Sequence, residues 1–356
     1  MTAASPHRAA GRSGVAVAGE TSPQLDYSKV RAYWKRVRPS MLGPYMMDGF
    51  GFPASAGRFR FRGELSAVTE AIQNLGPDTS VLDLGSGAGV WTEYFAQRFA
   101  KVVAVEASSA LYDVLKDRCS RYPNVTTHHR DVLTFEPEGK PESVEGKLGS
   151  TREYGSTGGV EPTCDVQPTG EFGSTGGFGL VFLGGLLMYL NDRDVRALLR
   201  KLIPCLEPDA LVLCRESTIR HGAKTLHGDY QVVYRSVEAY RDIFADAGFD
   251  IVRVQANTAY INVQIACERI KKWKALVPNR FRCLPVVGRL AYWGLRLGHP
   301  WNTRLIPWLF GGMGREFPTL TNHFFFLRPS LQAAPDRRDT SSHAPPIKEE
   351  MFENAR

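Results

Sequence analysis

The stretch Val81-Leu82-Asp83-Leu84-Gly85-Ser86-Gly87-Ala88-Gly89 constrains the fold more than any other part of the chain. A strand-like run ends in three glycines at alternate positions, and a helix-compatible run, Val90 to Phe99, follows. Strand, tight turn and helix start therefore lie in succession. Glycine permits positive φ and close approach of a ligand to the backbone, and the amides at a helix start attract negative charge. The spacing is G-x-G-x-G with Val at position 90, so the G-x-G-x-x-G of a dinucleotide-binding turn is absent.

The following segments repeat the strand–helix alternation. Val102 to Val105 is short, apolar and β-branched, as a buried parallel strand should be, and it ends in Glu106. A carboxylate at that tip can accept both hydroxyls of a ribose. Val125 to His128 reads as a third strand, followed by Asp131, an acid suited to the exocyclic amine of adenine. Gly179 to Leu183 is a fourth. Asp83, Glu106 and Asp131 thus fall at or near the carboxyl ends of successive strands, where open α/β sheets bind ligands.

This pattern resembles the class I S-adenosylmethionine-dependent methyltransferases over residues 60–265, with a final strand near 322–328. The resemblance implies an α/β fold: a Rossmann-like seven-stranded methyltransferase sheet with helices on both faces. It also implies S-adenosyl-L-methionine as cofactor. Asp83 opens the first motif, whose Gly85, Ser86, Gly87 and Gly89 would line methionine and ribose. Glu106, with Ala107 beside it, would hold the ribose diol. Asp131 and Val132 form the third motif, facing adenine, and Leu183 and Gly184 lie where the fourth strand passes the sulfonium.

The expected organisation is a disordered tail over 1–24, an N-terminal helical lid over 25–62 and a methyltransferase core over 63–265. A basic, aromatic, helical insertion over 266–320, a final strand over 321–329 and a disordered tail over 330–356 follow. Within the lid, 26–37 reads as a helix and 41–61 as a connector; 64–75 reads as the helix entering the sheet. Residues 137–178 interrupt the core with a Gly/Ser/Thr-rich stretch containing the near repeats 153–159 and 171–177. Such composition buries too little apolar area to offset backbone ordering, about 1–2 kcal/mol per residue, and reads as a flexible insertion. The six cysteines show no C-x-x-C or metal-ligand spacing, so no metal is expected and the thiols read as reduced. The longest apolar runs fall short of the roughly 20 residues of a membrane span. A cytoplasmic protein is expected, with peripheral membrane association as the variant.

The chain carries a net charge of +7, yet residues 268–328 alone hold eleven Lys or Arg against two acids. Four of the six tryptophans, Trp273, Trp293, Trp301 and Trp308, lie in the same segment. A basic, Trp-rich segment suits a membrane surface, a nucleic acid, an oligomer contact or a plain helical subdomain.

The acceptor is less legible. Methyl transfer from a sulfonium needs alignment above all, and a base only where the acceptor keeps its proton. The fourth strand runs into Gly184-Gly185-Leu186-Leu187 and lacks the Asp/Asn-Pro-Pro-Tyr of methyltransferases acting on nucleic-acid bases. Nucleic acid is accordingly disfavoured. An O or N atom of a small-molecule or lipid-linked acceptor is expected, with membrane-surface contact through 268–328. His227 with Asp229 is the candidate base and its orienting partner, and Tyr189 the third candidate catalytic residue; Asp229 paired with Arg235 is the alternative. Tyr33-Trp34-Lys35 with Pro39, Gly43 and Asp48-Gly49-Phe50 resembles the protein N-terminal methyltransferases, implying an α-amine acceptor as an alternative function. Val90, and Arg215-Glu216-Ser217 in the place of that family's catalytic segment, depart from it. A catalytically silent S-adenosylmethionine-binding partner is the remaining alternative.

Overall fold

The computed structural model describes residues 24–37, 50–137, 177–278, 283–299, 301–312 and 317–330. The expected tails and most of the 137–178 insertion lie outside these residues.

The sheet is built from the apolar runs. β1 (Ser80–Leu84), β2 (Lys101–Glu106), β3 (Val125–His129), β4 (Phe178–Gly184) and β5 (Leu206–Ile219) pair in parallel, in the order β3-β2-β1-β4-β5. β1, β2 and β4 are buried along nearly their whole length, because helices cover both faces of a parallel sheet. Strand alternation divides their side chains between two cores. Leu82, Leu84, Val181 and Leu183 pack with α5 (Asp192–Leu202) and α6 (Val237–Asp246), the latter through Tyr240, Ile243 and Phe244. Val81, Leu180 and Phe182 pack on the other side with α2 (Ala54–Ile72) and α3 (Val90–Ala96), through Val68, Trp91 and Phe95. α4 (Ser109–Cys119) sends Leu115 and Cys119 under β2.

β8 (Phe249–Ala256) and β9 (Thr321–Pro329) close the sheet, both pairings of β9 being antiparallel, to β5 and to β8. The seven-strand path is therefore β3-β2-β1-β4-β5-β9-β8, the seven-stranded α/β sheet expected from the sequence. Two strands more, β6 (Ala223–Leu226) and β7 (Val232–Ser236), form a hairpin whose β7 pairs with the tip of β5 at Thr218 and Ile219. The short alternation of this hairpin is hidden among polar residues in the sequence.

Between β8 and β9 run α7 (Thr258–Leu276), α8 (Leu284–Leu297) and α9 (Trp301–Gly312). α7 is one continuous helix across the boundary expected at 265/266. Near the N-terminus, α1 (Tyr27–Arg36) starts at Asp26, whose side chain accepts the Ser28 N–H. α2 begins at Ala54, well before the expected Glu64. Its glycines read as connector residues, but Gly63 serves a close helix contact: a Cβ there would lie 2.6 Å from the Ala259 Cβ of α7. Among the described residues no helix is long and apolar enough to cross a membrane.

Candidate active site

A cavity of about 910 Å³ opens at the carboxyl ends of β1, β2, β4 and β5. Its floor is the glycine turn. Gly85, Gly87 and Gly89 have φ of 70°, 57° and 77°. Those angles disfavour a side chain, and a Cβ at Gly89 would also come within 2.8 Å of Leu115 Cδ1. The Gly85 and Ser86 amides donate to the Val105 carbonyl, at 2.9 and 3.1 Å, tying the turn to β2.

The Glu106 carboxylate accepts the amides of Gly87 (2.8 Å) and Ser108 (2.7 Å). Burial pushes its pKa up while these bonds pull it down. An ionised carboxylate offers about four lone-pair sites, so acceptor capacity remains for a diol. Asp83 is buried behind the turn and accepts the Thr92 hydroxyl at 2.6 Å; burial raises it to about 7. Asp131 accepts the Leu133 amide at 3.0 Å and stands 3.6 Å from Arg31. Ala107, Leu111, Val132 and Leu133 supply apolar wall between these acids.

Of the sequence-designated donor residues, Asp83, Gly85, Ser86, Gly87, Glu106, Ala107, Asp131, Val132 and Gly184 line the cavity. Gly89 and Leu183 are not on its wall. Gly89 caps α3 against Leu115, and strand alternation turns Leu183 into the opposite core while Phe182 and Gly184 face the cavity.

The other wall is aromatic. Tyr33 and Trp34 of α1 meet Tyr230 and Tyr189, with ring centroids 5.0 and 5.2 Å apart, and the Tyr189 and Tyr230 hydroxyls are 3.1 Å apart. Burial raises the phenols of Tyr189 and Tyr230 well above the ordinary value, so both are neutral. α1 is held over this end by Tyr27, whose hydroxyl bonds Asp194 and accepts the Asn191 amide, and by the Asp26 amide on Gln231.

The turn after β4 is bracketed by two buried groups, Glu216 and Arg235, whose partners the sequence did not reveal. Glu216 accepts the amides of Leu186 (3.0 Å), Leu187 (3.0 Å) and Met188 (3.3 Å). Arg235 donates to the carbonyls of Leu187 (2.9 Å) and Leu190 (2.6 Å) and to Asp192 (2.7 Å). Together they fix the turn that carries Tyr189. The available signal was alternation along β5, which sends Arg215 and Ser217 to the cavity and Glu216 away from it. Arg235 pairs with Asp192, not with Asp229. His227 and Asp229 are exposed at the β6–β7 turn and are not among the cavity-lining residues. The hairpin turns them outward while its Leu226 and Tyr230 line the cavity.

Residues 66–157 match the family model described as ribosomal RNA adenine dimethylase. This stretch holds the glycine turn and the three acids. The match supports the resemblance to class I S-adenosylmethionine-dependent methyltransferases over this donor half. The chain is similar to the ribosomal RNA small subunit methyltransferase A of Geobacillus kaustophilus, 37% identical over 24% of this chain and 29% of that protein. The Enterococcus faecalis protein of the same name is 40% identical over 24% of this chain and 29% of its own length. The chain thus spans under a third of the length of these relatives. Among solved structures, the Haemonchus contortus phosphoethanolamine N-methyltransferase 2, in complex with S-adenosylhomocysteine, aligns with TM-score 0.48 and 18% identity. That alignment covers 84% of this chain and 59% of the other.

These matches support a methyltransferase with S-adenosyl-L-methionine as its cofactor. The donor end fits that group: Glu106 keeps lone pairs for a diol, Asp131 stands at the apolar slot, and a Cβ at Gly87 would meet nothing within 4 Å, leaving its backbone open to a ligand. The partner expectations are overturned. A small-molecule or lipid-linked acceptor, membrane-surface contact through 268–328 and a disfavoured nucleic acid all conflict with relatives named for ribosomal RNA. The missing Pro-Pro tetrapeptide misled the reading; its position lies beyond the matched stretch, which ends at 157.

Proposed function

We propose that this methyltransferase transfers a methyl group to a nucleotide of RNA, taking the base out of its stack into the aromatic end of the cavity. The observation that carries the reading is the match of the donor half to the ribosomal RNA adenine dimethylase model. The aromatic wall supports it: base–aromatic stacking contributes about 1–3 kcal/mol per base, and Tyr33, Trp34, Tyr189 and Tyr230 surround one end of the cavity. Enzymes acting on a base use such a pocket to hold it flipped.

When bound, S-adenosylmethionine supplies an electrophilic methyl group on a positively charged sulfur. The protein's part is alignment, worth several kcal/mol when the reacting atoms are held in line. Glu106 and the glycine-turn amides fix the donor end. Glu216 and Arg235 hold the β4 turn rigid beside it. Tyr189 acts as a neutral phenol that stacks and hydrogen-bonds, because burial keeps its proton on. His227 and Asp229 take no part in this scheme.

The test is incubation with methyl-labelled donor and ribosomal RNA, followed by digestion to nucleosides. Label should appear in one methylated nucleoside and vanish after nuclease pretreatment. Label confined to protein, for example to peptides beginning X-Pro-Lys, would overturn the proposal and favour the α-amine reading.

A further inference from the structure

The cavity is charged unevenly. Asp83, Glu106 and Asp131 line it where β1, β2 and β3 end, with Arg31 beside Asp131. Across from them the wall carries Arg58 and Arg60 of α2, Arg215 of β5 and Lys271 of α7. Arg60 and Arg215 converge on one carboxylate: Arg60 Nε lies 2.8 Å from Glu64 Oε1 and Arg215 Nη1 lies 2.6 Å from Oε2. Glu64 is completely buried and is not part of the cavity wall, whereas both arginines are. Both arginines line the cavity, and the acid they share lies behind them.

The arrangement is held stiffly. Asn257 Nδ2 adds a third bond to Glu64 Oε1 at 3.0 Å and also reaches Asn322 Oδ1 at 2.9 Å. Burial alone would raise the Glu64 carboxyl, yet Arg215 and Arg60 hold it below the usual value, so it stays ionised. The Arg60 guanidinium lies 4.4 Å over the Tyr260 ring, and the Tyr260 hydroxyl meets Ser217 Oγ at 3.3 Å. Arg215 Nη2 donates to the Gly184 carbonyl at 3.0 Å, which ties the cationic wall to the end of β4. Guanidinium groups locked in their planes lose little entropy on binding, and their forks match the oxygens of a phosphate.

We propose that this end of the cavity is a phosphate subsite for the acceptor, in which Arg60 and Arg215, aided by Lys271, grip the backbone phosphate adjoining the stacked base. The inference rests on the RNA reading given above. It assigns a second task to the cavity: acids and amides receive the nucleoside part of the donor, and the arginine pair fixes the register of the acceptor strand.

The probes are inorganic phosphate, adenosine 5′-monophosphate and adenosine, each titrated calorimetrically into the full chain saturated with S-adenosylhomocysteine, so that the donor end is filled. The monophosphate should bind about tenfold more tightly than adenosine, as two charge-assisted bonds allow, and phosphate alone should bind saturably. Arg60→Gln should reduce the preference to under about twofold. Glu64→Gln, which removes the shared countercharge, should tighten phosphate binding instead; a purely structural network gives no such opposite sign. Lys271→Ala alters an exposed position and should weaken the monophosphate about threefold even where the arginine variant fails to fold. Equal binding of monophosphate and adenosine overturns the subsite. So does loss of donor affinity in Arg60→Gln with the preference intact, which would give the arginines to the donor's carboxylate. Phosphate preference without methyl transfer to RNA supports the subsite and overturns the RNA reading; RNA methylation with equal binding overturns the subsite alone.

Discussion

Asp83, Glu106 and Glu216 show how far burial can move a single carboxyl group, and what opposes it. Glu106 receives two amides, and its neighbourhood suits a diol. Glu106→Ala removes the acceptor and strands both amides, so S-adenosylhomocysteine affinity should fall at least tenfold by calorimetry; unchanged affinity would remove Glu106 from the donor site. Burial raises Asp83 and Glu216 to about 7, from ordinary values of 3.8 and 4.5. Each therefore binds more protons folded than unfolded between about pH 4 and 7. Their stabilising contribution is complete below that window and is lost as the pH rises through about 7. Asp83→Asn, which mimics the protonated form, should accordingly show a smaller drop in urea midpoint between pH 5 and pH 8 than the unmodified protein. An identical drop would mean that Asp83 ionises normally.

At the scale of elements, the turn after β4 depends on β5 and β7 rather than on its own sequence. Glu216 reaches it from β5 and Arg235 from β7, and each satisfies backbone groups that would otherwise be buried without partners. Arg235→Met keeps the volume but abandons two buried carbonyls, so it should cost about 2–3 kcal/mol in urea unfolding. Because the same turn carries Tyr189, kcat should fall more than the protein's donor affinity. A variant with unaltered kcat would disconnect the bracket from catalysis. The hairpin also sets where His227 and Asp229 lie. Two residues apart in sequence, they suggest a base and its orienting acid, yet both are exposed at the hairpin turn.

Across the whole molecule, the positive charge concentrated in 268–328 divides between two settings. Lys271 lies on the cavity wall, whereas α8 and α9 present Val286, Leu290, Trp293, Leu297, Trp301, Leu305, Trp308 and Leu309 outward. These positions recur every three or four residues on each helix, so each helix carries an exposed apolar stripe in addition to its buried contacts. Exposed apolar groups add little to folding and promote association. Trp301→Gln combined with Trp308→Gln should leave the melting temperature within about 1 °C while lowering light scattering at high concentration. A clear loss of melting temperature would instead mean that these rings pack against the chain itself.

The sequence alone determined the parallel core and the grouping of the glycine turn with acids at its carboxyl edge. Those features are local: a buried parallel strand must be apolar along its length, a turn with positive φ selects glycine, and a ligand-binding acid stands at a strand tip. Gly85, Gly87, Glu106 and Asp131 are accordingly recognisable without neighbours. Only the tertiary structure brought Glu64 behind Arg60 and Arg215, 151 residues apart from the latter in the chain. It alone joined Glu216 and Arg235 to the β4 turn and carried Tyr33 and Trp34 to Tyr189 and Tyr230. Such sites are assembled from charges and rings whose local context is unremarked, because what defines each is the distant group that compensates its burial.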